Sequence, residues 1–533
     1  MLQCGLIREK PSATNSRLSK QRGPLPWTGA PCSPKRTWAE KDGAQPLRTL
    51  LLCPQNHVGV SNHKNEISLR IAVLSHLLWY LSMKKLLVDT AERAARYLAE
   101  LENRHVAPTP EDVARLQALS GPLPQSPSDP SQVLALLDDI GSPATVATAG
   151  GRYFGFVIGG SLPAALAANW LAGAWDQNSA MQVMSPVAAK LEEIVLSWMV
   201  DLFGLPSSSG AGFVTGTTMA NFTGLAAART ALLKRAGWNV EEDGLFGAPP
   251  IHVVVGDEVH VSLLKALSML GLGRSRVTRV PADAQGRMRA DALPPLDDRT
   301  LVCVQAGNVN TGAFDPAGEI CARAHDAGSW VHVDGAFGYW AAASPKYAPL
   351  LAGAGAADSW AIDCHKWLNV PYDSAVAIVR TAEHLQAAMA MTAAYLTPGA
   401  GREPWHFAPE ASRRARGVEL WAAMRSLGRS GLAELIERNC LQAKLFADRL
   451  SAAGFTILND VVLNQVLVSF GSEEETRRVI SNIQSDGTCW CGGTQWHGQA
   501  AMRISVSSWA TTNEDVERSA AAMIRIAKQG SQA

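Results

Sequence analysis

The sequence predicts an α/β fold: a mostly parallel central sheet flanked by helices, with a smaller α+β domain at the C-terminal end. Three observations predict it. Short apolar, β-rich runs at 251–255, 301–304, 330–333 and 375–379 alternate with helix-like stretches at 219–235, 262–270 and 316–327. That alternation is the pattern of parallel strands joined by helical crossovers. After about Thr392 the pattern changes to a Gly/Pro-rich loop (397–409), two long helical stretches (414–427 and 432–450) and a mixed segment. Finally, 533 residues at 47% hydrophobic content supply apolar material for more than one core.

Taken in order, residues 1–82 stand apart. They are rich in Arg, Lys, Ser and Pro and show little periodicity. They read as a disordered extension or as upstream sequence not normally translated, because Met83-Lys84-Lys85-Leu86 offers a start before a regular helix. The basic, acid-poor first fifty residues also fit an organellar targeting peptide. Residues 83–170 form an N-terminal helical segment, with Leu86, Leu87, Ala91, Ala94, Ala95, Leu98 and Leu101 at helical spacing. A large domain is expected over 171–395. Within it Ser185 and Pro186 suit the cap and first turn of a helix that Gly204 and Pro206 stop. Residues 396–533 make the small C-terminal domain.

Charge and cysteine content exclude several classes. Lys+Arg and Asp+Glu are both 48, so the formal net charge is zero. That balance favours neither nucleic acid nor an anionic membrane surface. The longest apolar run, 69–81, is short for a span and carries Arg70 and His76. Nine scattered cysteines without paired metal spacing fit reduced thiols and a cytoplasmic location. The expectation is a small-molecule ligand, with no metal, nucleic acid or membrane.

Two segments carry chemistry. Trp330-Val331-His332-Val333-Asp334-Gly335-Ala336 is a strand-like run ending in a carboxylate and small residues. In open α/β sheets ligands bind beyond the carboxyl ends of the strands, where Asp334 would meet a cationic ring nitrogen. Taken alone, Asp334 reads rather as a turn or cap residue. In Ile362-Asp363-Cys364-His365-Lys366-Trp367 a lysine follows an apolar run. A partly desolvated amine loses its charge more easily and attacks a carbonyl, although a stem lying over Trp367 would look the same.

Together with further ordered motifs, the segment from about Tyr153 to Ala510 resembles the group II pyridoxal 5'-phosphate-dependent amino acid decarboxylases of fold type I, the aromatic amino acid and glutamate decarboxylase group. The resemblance implies that Lys366 carries the cofactor as a Schiff base and that Asp334 keeps its pyridine nitrogen protonated. The charged ring is then the electron sink. It implies that Ala336 packs on one ring face and His260, in Val259-His260-Val261-Ser262, on the other. Val214-Thr215-Gly216-Thr217-Thr218-Met219-Ala220-Asn221 resembles the phosphate loop, with the Thr217 and Thr218 amides and the Thr218 hydroxyl as donors at a helix start. Thr217 stands where the family usually has a second glycine. His365 is expected near the same phosphate. Asp363 departs from the pattern, since a carboxylate there repels phosphate unless turned away. Asn308 stands where a threonine often sits near the cofactor's phenolic oxygen, and its amide can donate there. Phe156, in Tyr153-Phe154-Gly155-Phe156, marks the substrate side.

The implied reaction is decarboxylation of an L-amino acid to the amine and carbon dioxide, in a homodimer whose active sites are shared between chains. The family commonly delivers the returning proton from a loop tyrosine. The loop 402–410 here contains none, and His406 is the substitute whose ordinary pKa suits the task. Tyr395 reads as a loop anchor. Without a donor, oxidative deamination or transamination follows, so an aldehyde synthase, an aminotransferase-like enzyme or a carbon–carbon lyase stays open. So does a catalytically silent cofactor-binding protein.

Overall fold

The computed structural model describes residues 61–391 and 402–529, with side chains described from 68 onward. Tyr395 and the loop residues 396–401 lie outside the described residues. The chain divides into two units, Met1–Trp79 and Tyr80–Ala533. Of the first, the described part is the beginning of helix α1 (Ser61–Glu100). Ser68–Glu100 is long and apolar enough, by length and composition, to cross a membrane. This corrects the expectation that no run reaches that length. The expectation counted unbroken apolar residues, whereas Ser75, His76 and Ser82 interrupt the run without making it polar overall.

Within the second unit, helix α2 (Pro186–Phe203) begins as its sequence requires. Ser185 Oγ accepts from the Ala188 amide at 3.3 Å, and Gly204 ends the helix in the left-handed region. There follow strand β1 (Gly210–Val214), helix α3 (Thr217–Arg235), β2 (His252–Gly256), helix α4 (Val261–Met269), β3 (Thr278–Val280), β4 (Thr300–Gln305), β5 (Trp330–Asp334), β6 (Ser359–Asp363) and β7 (Ala375–Val379). These seven strands form one sheet in the order β1-β7-β6-β5-β4-β2-β3. All pairs are parallel except those made by β7, which runs against both β1 and β6. β1 therefore points the same way as β6, and the carboxyl ends of β1, β2, β4, β5 and β6 share one edge. The sheet is buried on both faces, as the unbroken apolar runs required. Trp330, Trp340, Trp360 and Trp367 are fully buried against it.

β1 is the strand that propensity misses, because it reads Gly-Ala-Gly-Phe-Val. A side chain at Gly212 would place its Cβ 2.0 Å from the Phe407 carbonyl oxygen, so packing demands the glycine.

The C-terminal part is a second α+β layer. Helix α5 (Gly417–Ala452) breaks at Gly428, whose backbone is non-helical, so it is two helices as the sequence implied. A four-stranded antiparallel sheet, β10-β11-β9-β8, is built from β8 (Thr456–Ile457), β9 (Gln465–Ser469), β10 (Gly492–Trp496) and β11 (Gln499–Ser505). Helices α5 and α6 (Glu473–Asp486) pack on it, and α7 (Asn513–Gln529) packs on those two helices. Phe154 belongs to this second core, packing edge-on to Phe446 at 4.9 Å. That contact and the Tyr153–Trp490 bridge tie the segment around 155 to the C-terminal layer.

Candidate active site

Asp334 and Asp363 are the last residues of the neighbouring parallel strands β5 and β6, and Lys366 follows three residues later. The alternation of a strand decides which side chains face the helices, and the strand's end decides which can face a ligand. Lys366 Nζ lies 2.8 Å from Asp363 Oδ2. The same carboxylate oxygen accepts a short hydrogen bond from the Thr217 hydroxyl. Asp363 Oδ1 is buried and has no hydrogen-bond partner among the described residues. His365 Nε2 stands 3.8 Å from it. Burial opposes the Asp363 charge, but Lys366 and His365 outweigh burial and hold the carboxyl below its ordinary pKa.

Thr217 opens α3, and its cap is Gly216, which offers no side-chain acceptor to the first amides. Those amides, with the helix dipole, form an anion-binding end. His365 and Asp363 border it: a Cβ on Gly216 would lie 3.4 Å from His365 Cε1 and 3.8 Å from Asp363 Oδ1. Asp363 is therefore not turned away. His365 is buried, accepts from the Ser374 amide at 3.2 Å and packs its ring on Tyr372 at 4.3 Å. Burial lowers its basicity, against the pull of Asp363. Thr218 is the second residue of the same helix start.

Asp334 is buried and is held by amide donors, Asn221 Nδ2 at 3.1 Å and the Ala336 N–H at 3.2 Å. Ala336 is half-buried, and its carbonyl accepts from the Asp363 amide, which ties the two strand ends together. His260 caps α4, with Nδ1 accepting from the Ser262 amide at 3.2 Å. Burial lowers its basicity; Asp334 opposes this, while Lys366 and Arg503 reinforce it, so the ring faces this cluster in its neutral form.

A loop closes over the lysine. A Cβ on Gly159 would stand 1.9 Å from the Lys366 carbonyl oxygen, so only glycine allows this approach. Before it, Phe156 and Val157 both take positive φ, 51° and 58°. Two successive left-handed non-glycine residues store strain that the surrounding packing must hold. Phe156 is 63% exposed and stacks on Trp490 at 5.4 Å, with Tyr153 stacked on the same indole at 5.1 Å.

The structure thus brings Lys366, Asp334, Ala336, His260, Thr217, Thr218 and His365 to one edge of the sheet. Two other residues are engaged elsewhere. Asn308 is buried, and its carbonyl oxygen accepts from the Asn310 and Thr311 amides of its own turn while its NH2 donates to Gln305 at 3.4 Å. His406 sits on a 3-10 turn, its ring 4.7 Å from that of Trp405 and its N–H bonded to the Glu403 carbonyl.

Four residues at this edge escaped the sequence reading. Asn221 lies one helical turn after Thr217, so helical periodicity pointed to it. Tyr372 follows His365 by seven residues in an irregular loop that gives no periodic signal, and Trp490 and Arg503 arrive from distant segments. The side chain of Arg503, on β11, has no hydrogen bond or ion pair among the described residues. Burial works against its charge, and it acts electrostatically on His260.

These residues fit pyridoxal 5'-phosphate. An amine, a carboxylate held without a cation, a neutral imidazole and a glycine-capped helix start match its aldehyde, ring nitrogen, ring face and phosphate. Asp363, beside the anion-binding end, is the one opposing charge. A separate cavity of about 520 Å³, lined by Arg287, Asp315, Glu319 and Asp460 among others, contains none of this set.

Comparison with known proteins agrees. The pattern of the pyridoxal-dependent decarboxylase conserved domain matches residues 121–471. An aromatic-L-amino-acid decarboxylase of Bacillus atrophaeus is 26% identical over 375 residues, covering 68% of this chain and 76% of that protein. A phenylacetaldehyde synthase of Arabidopsis thaliana is 25% identical over 431 residues, covering 74% of this chain and 86% of that protein. Among solved structures, an Oryza sativa TDC with PLP and tryptamine superposes with a TM-score of 0.78 at 22% identity, over 84% of this chain and 98% of that one.

Proposed function

The chain belongs to the pyridoxal-dependent decarboxylase family, and from that premise we propose that it converts an L-amino acid to its amine and carbon dioxide, with the cofactor held by Lys366 as a Schiff base. Its cofactor is pyridoxal 5'-phosphate and it is a carboxy-lyase. One observation carries the reading: an amine and a buried carboxylate free of any protein cation stand at the ends of adjacent parallel strands, beside an uncapped helix start. When bound, the cofactor supplies a protonated ring that draws electrons from the bond being broken.

The chain's own residues do the rest. Lys366 would hold the cofactor and yield it to the substrate amine. Asp334 would keep the ring nitrogen protonated. His260 and Ala336 would flank the ring, and the Thr217 and Thr218 amides with His365 would hold the phosphate. Asn308 would donate through its NH2 near the phenolic oxygen. Phe156 lines the substrate side, and the unpaired Arg503 supports an anionic group on the substrate. His406 would return the proton. Among the described residues its partners are Trp405 and Glu403, which accords with a role in a site formed with a second copy of the chain. A homodimer with shared sites accords with the exposed Trp170, Leu171 and Val183. A cytoplasmic location accords with the free thiols of the described cysteines.

A second reading, aldehyde synthase, is favoured by the tyrosine-free loop 402–412 and by the Arabidopsis relative. Product analysis separates the two. Amine with carbon dioxide supports the decarboxylase; aldehyde with ammonia and oxygen consumption supports the synthase. An absorbance band at about 420 nm, lost on borohydride reduction and absent in Lys366→Ala, tests the attachment. Persistence of that band in the variant would remove Lys366 from the mechanism.

A further inference from the structure

Asp334 is the last member of a row of five buried side chains drawn from β5, β6 and α3. Trp330 Nε1 donates to Ser359 Oγ at 2.9 Å. Ser359 Oγ lies 2.8 Å from His332 Nδ1, and His332 Nε2 lies 2.9 Å from Asn221 Oδ1. Asn221 Nδ2 donates to Asp334 Oδ2 at 3.1 Å. Ser359, His332 and Asn221 are wholly buried.

The proton positions follow from both ends. An indole N–H only donates, so Ser359 Oγ accepts there, and among the described residues His332 Nδ1 is the partner left to receive its own hydrogen. That nitrogen is then an acceptor, and the imidazole carries its proton on Nε2. A carboxylate only accepts, so Asn221 must present its NH2 to Asp334 and its carbonyl oxygen to His332, which must donate. The two deductions meet at the same tautomer. Burial pushes the His332 pKa down to about 3, which keeps the ring neutral and the row singly polarised. Turning His332 to its other tautomer would force Asn221 to aim its carbonyl oxygen at a carboxylate. The backbone makes room for this ring: a Cβ on Gly224, one turn beyond Asn221, would lie 3.0 Å from His332 Cε1.

We propose that Asn221 and His332 are positioning residues for the cofactor: through this one-directional row they fix the rotation of the Asp334 carboxylate for the ring nitrogen. A buried carboxylate with no protein cation stays ionised only if donors favour the charged form. Here the donor cannot rotate away, because its own acceptor side is already committed.

The inference rests on the reading of Asp334 as the ring-nitrogen partner. The test is 15N NMR of the holoenzyme loaded with ring-15N cofactor, titrated over roughly pH 6 to 9. The wild type should hold the nitrogen protonated throughout. In Asn221→Leu and His332→Leu the ring should lose its proton at least about one pH unit lower. His332→Gln, which can accept from Ser359 and donate to Asn221, should keep most of the wild-type behaviour. Gly224→Ala should shift it partly. Unchanged ring protonation in both leucine variants would overturn the proposal, as would full loss in His332→Gln with an intact circular dichroism spectrum. Wild-type His332 tests it without substitution: a proton on Nδ1 contradicts the row and one on Nε2 supports it. Asp334→Asn separates the two claims. If that control leaves the ring protonated, the role of Asp334 fails; if it deprotonates the ring while the leucine variants do not, only the row fails.

Discussion

Two buried carboxylates end adjacent strands and are treated in opposite ways. Asp363 at the end of β6 is matched by a cation, Lys366 at 2.8 Å, and by the Thr217 hydroxyl. Among the described residues, Asp334 at the end of β5 receives only amide donors, from Asn221 and Ala336. The first charge is balanced within the protein. The second is stabilised but left without a counter-ion, the arrangement expected of a group whose cation arrives with a ligand. The difference teaches that a carboxylate's role here is set less by its burial than by what kind of donor reaches it.

Four substitutions or titrations break or sharpen that contrast. Lys366→Ala has the largest expected effect, a loss of kcat by roughly a thousandfold or more, because covalent attachment and amine exchange both disappear. Single-turnover carbon dioxide release measures it. Asp334→Asn removes the unmatched charge and should lower kcat by about a hundredfold while the cofactor is still retained; near-normal turnover would show that its charge is not needed. Asp363→Asn should act the other way on binding. It frees Lys366 and removes a negative charge beside the anion-binding end, so the cofactor Kd of the stripped protein should fall by about tenfold. Equilibrium titration decides it, and weaker binding would mean that Asp363 supports the phosphate.

The effect furthest from turnover is on stability in acid. The folded-state pKa of Asp363 is depressed, so its contribution is present above the ordinary carboxylate pKa and is lost as pH falls through the depressed value. His332 adds loss of the same sign: its folded-state value is about 3, so protonation of the unfolded chain increasingly favours unfolding from its ordinary value of 6.5 downward. Denaturant melts between about pH 7 and pH 3 should show His332→Gln losing less stability than the wild type across that window.

Much of this was legible in the chain. The strands at 330–333 and 375–379 announce themselves as β-branched, apolar runs, and Asp334 and Lys366 follow such runs directly. The break between the helical stretches 414–427 and 432–450 appears as Gly428. β1 was not legible, because its glycines answer to Phe407, nearly 200 residues away. Asn308 shows a different division. Its place in a motif suggested a cofactor contact through its NH2, and the structure adds that its carbonyl oxygen is committed to its own turn.

By itself the sequence determined the alternation of strands and helices, the sheet edge proposed for the cofactor, and the amine, carboxylate and helix start that lie along it. Those features are set by local periodicity, by strand ends and by capping, which act over a few residues. Only the tertiary structure decided which carboxylate Lys366 pairs with, that Trp490 and Arg503 of the C-terminal layer join the site, and that Asp334 ends a buried row of donors. Such contacts depend on distance across strands and layers, which no local pattern encodes.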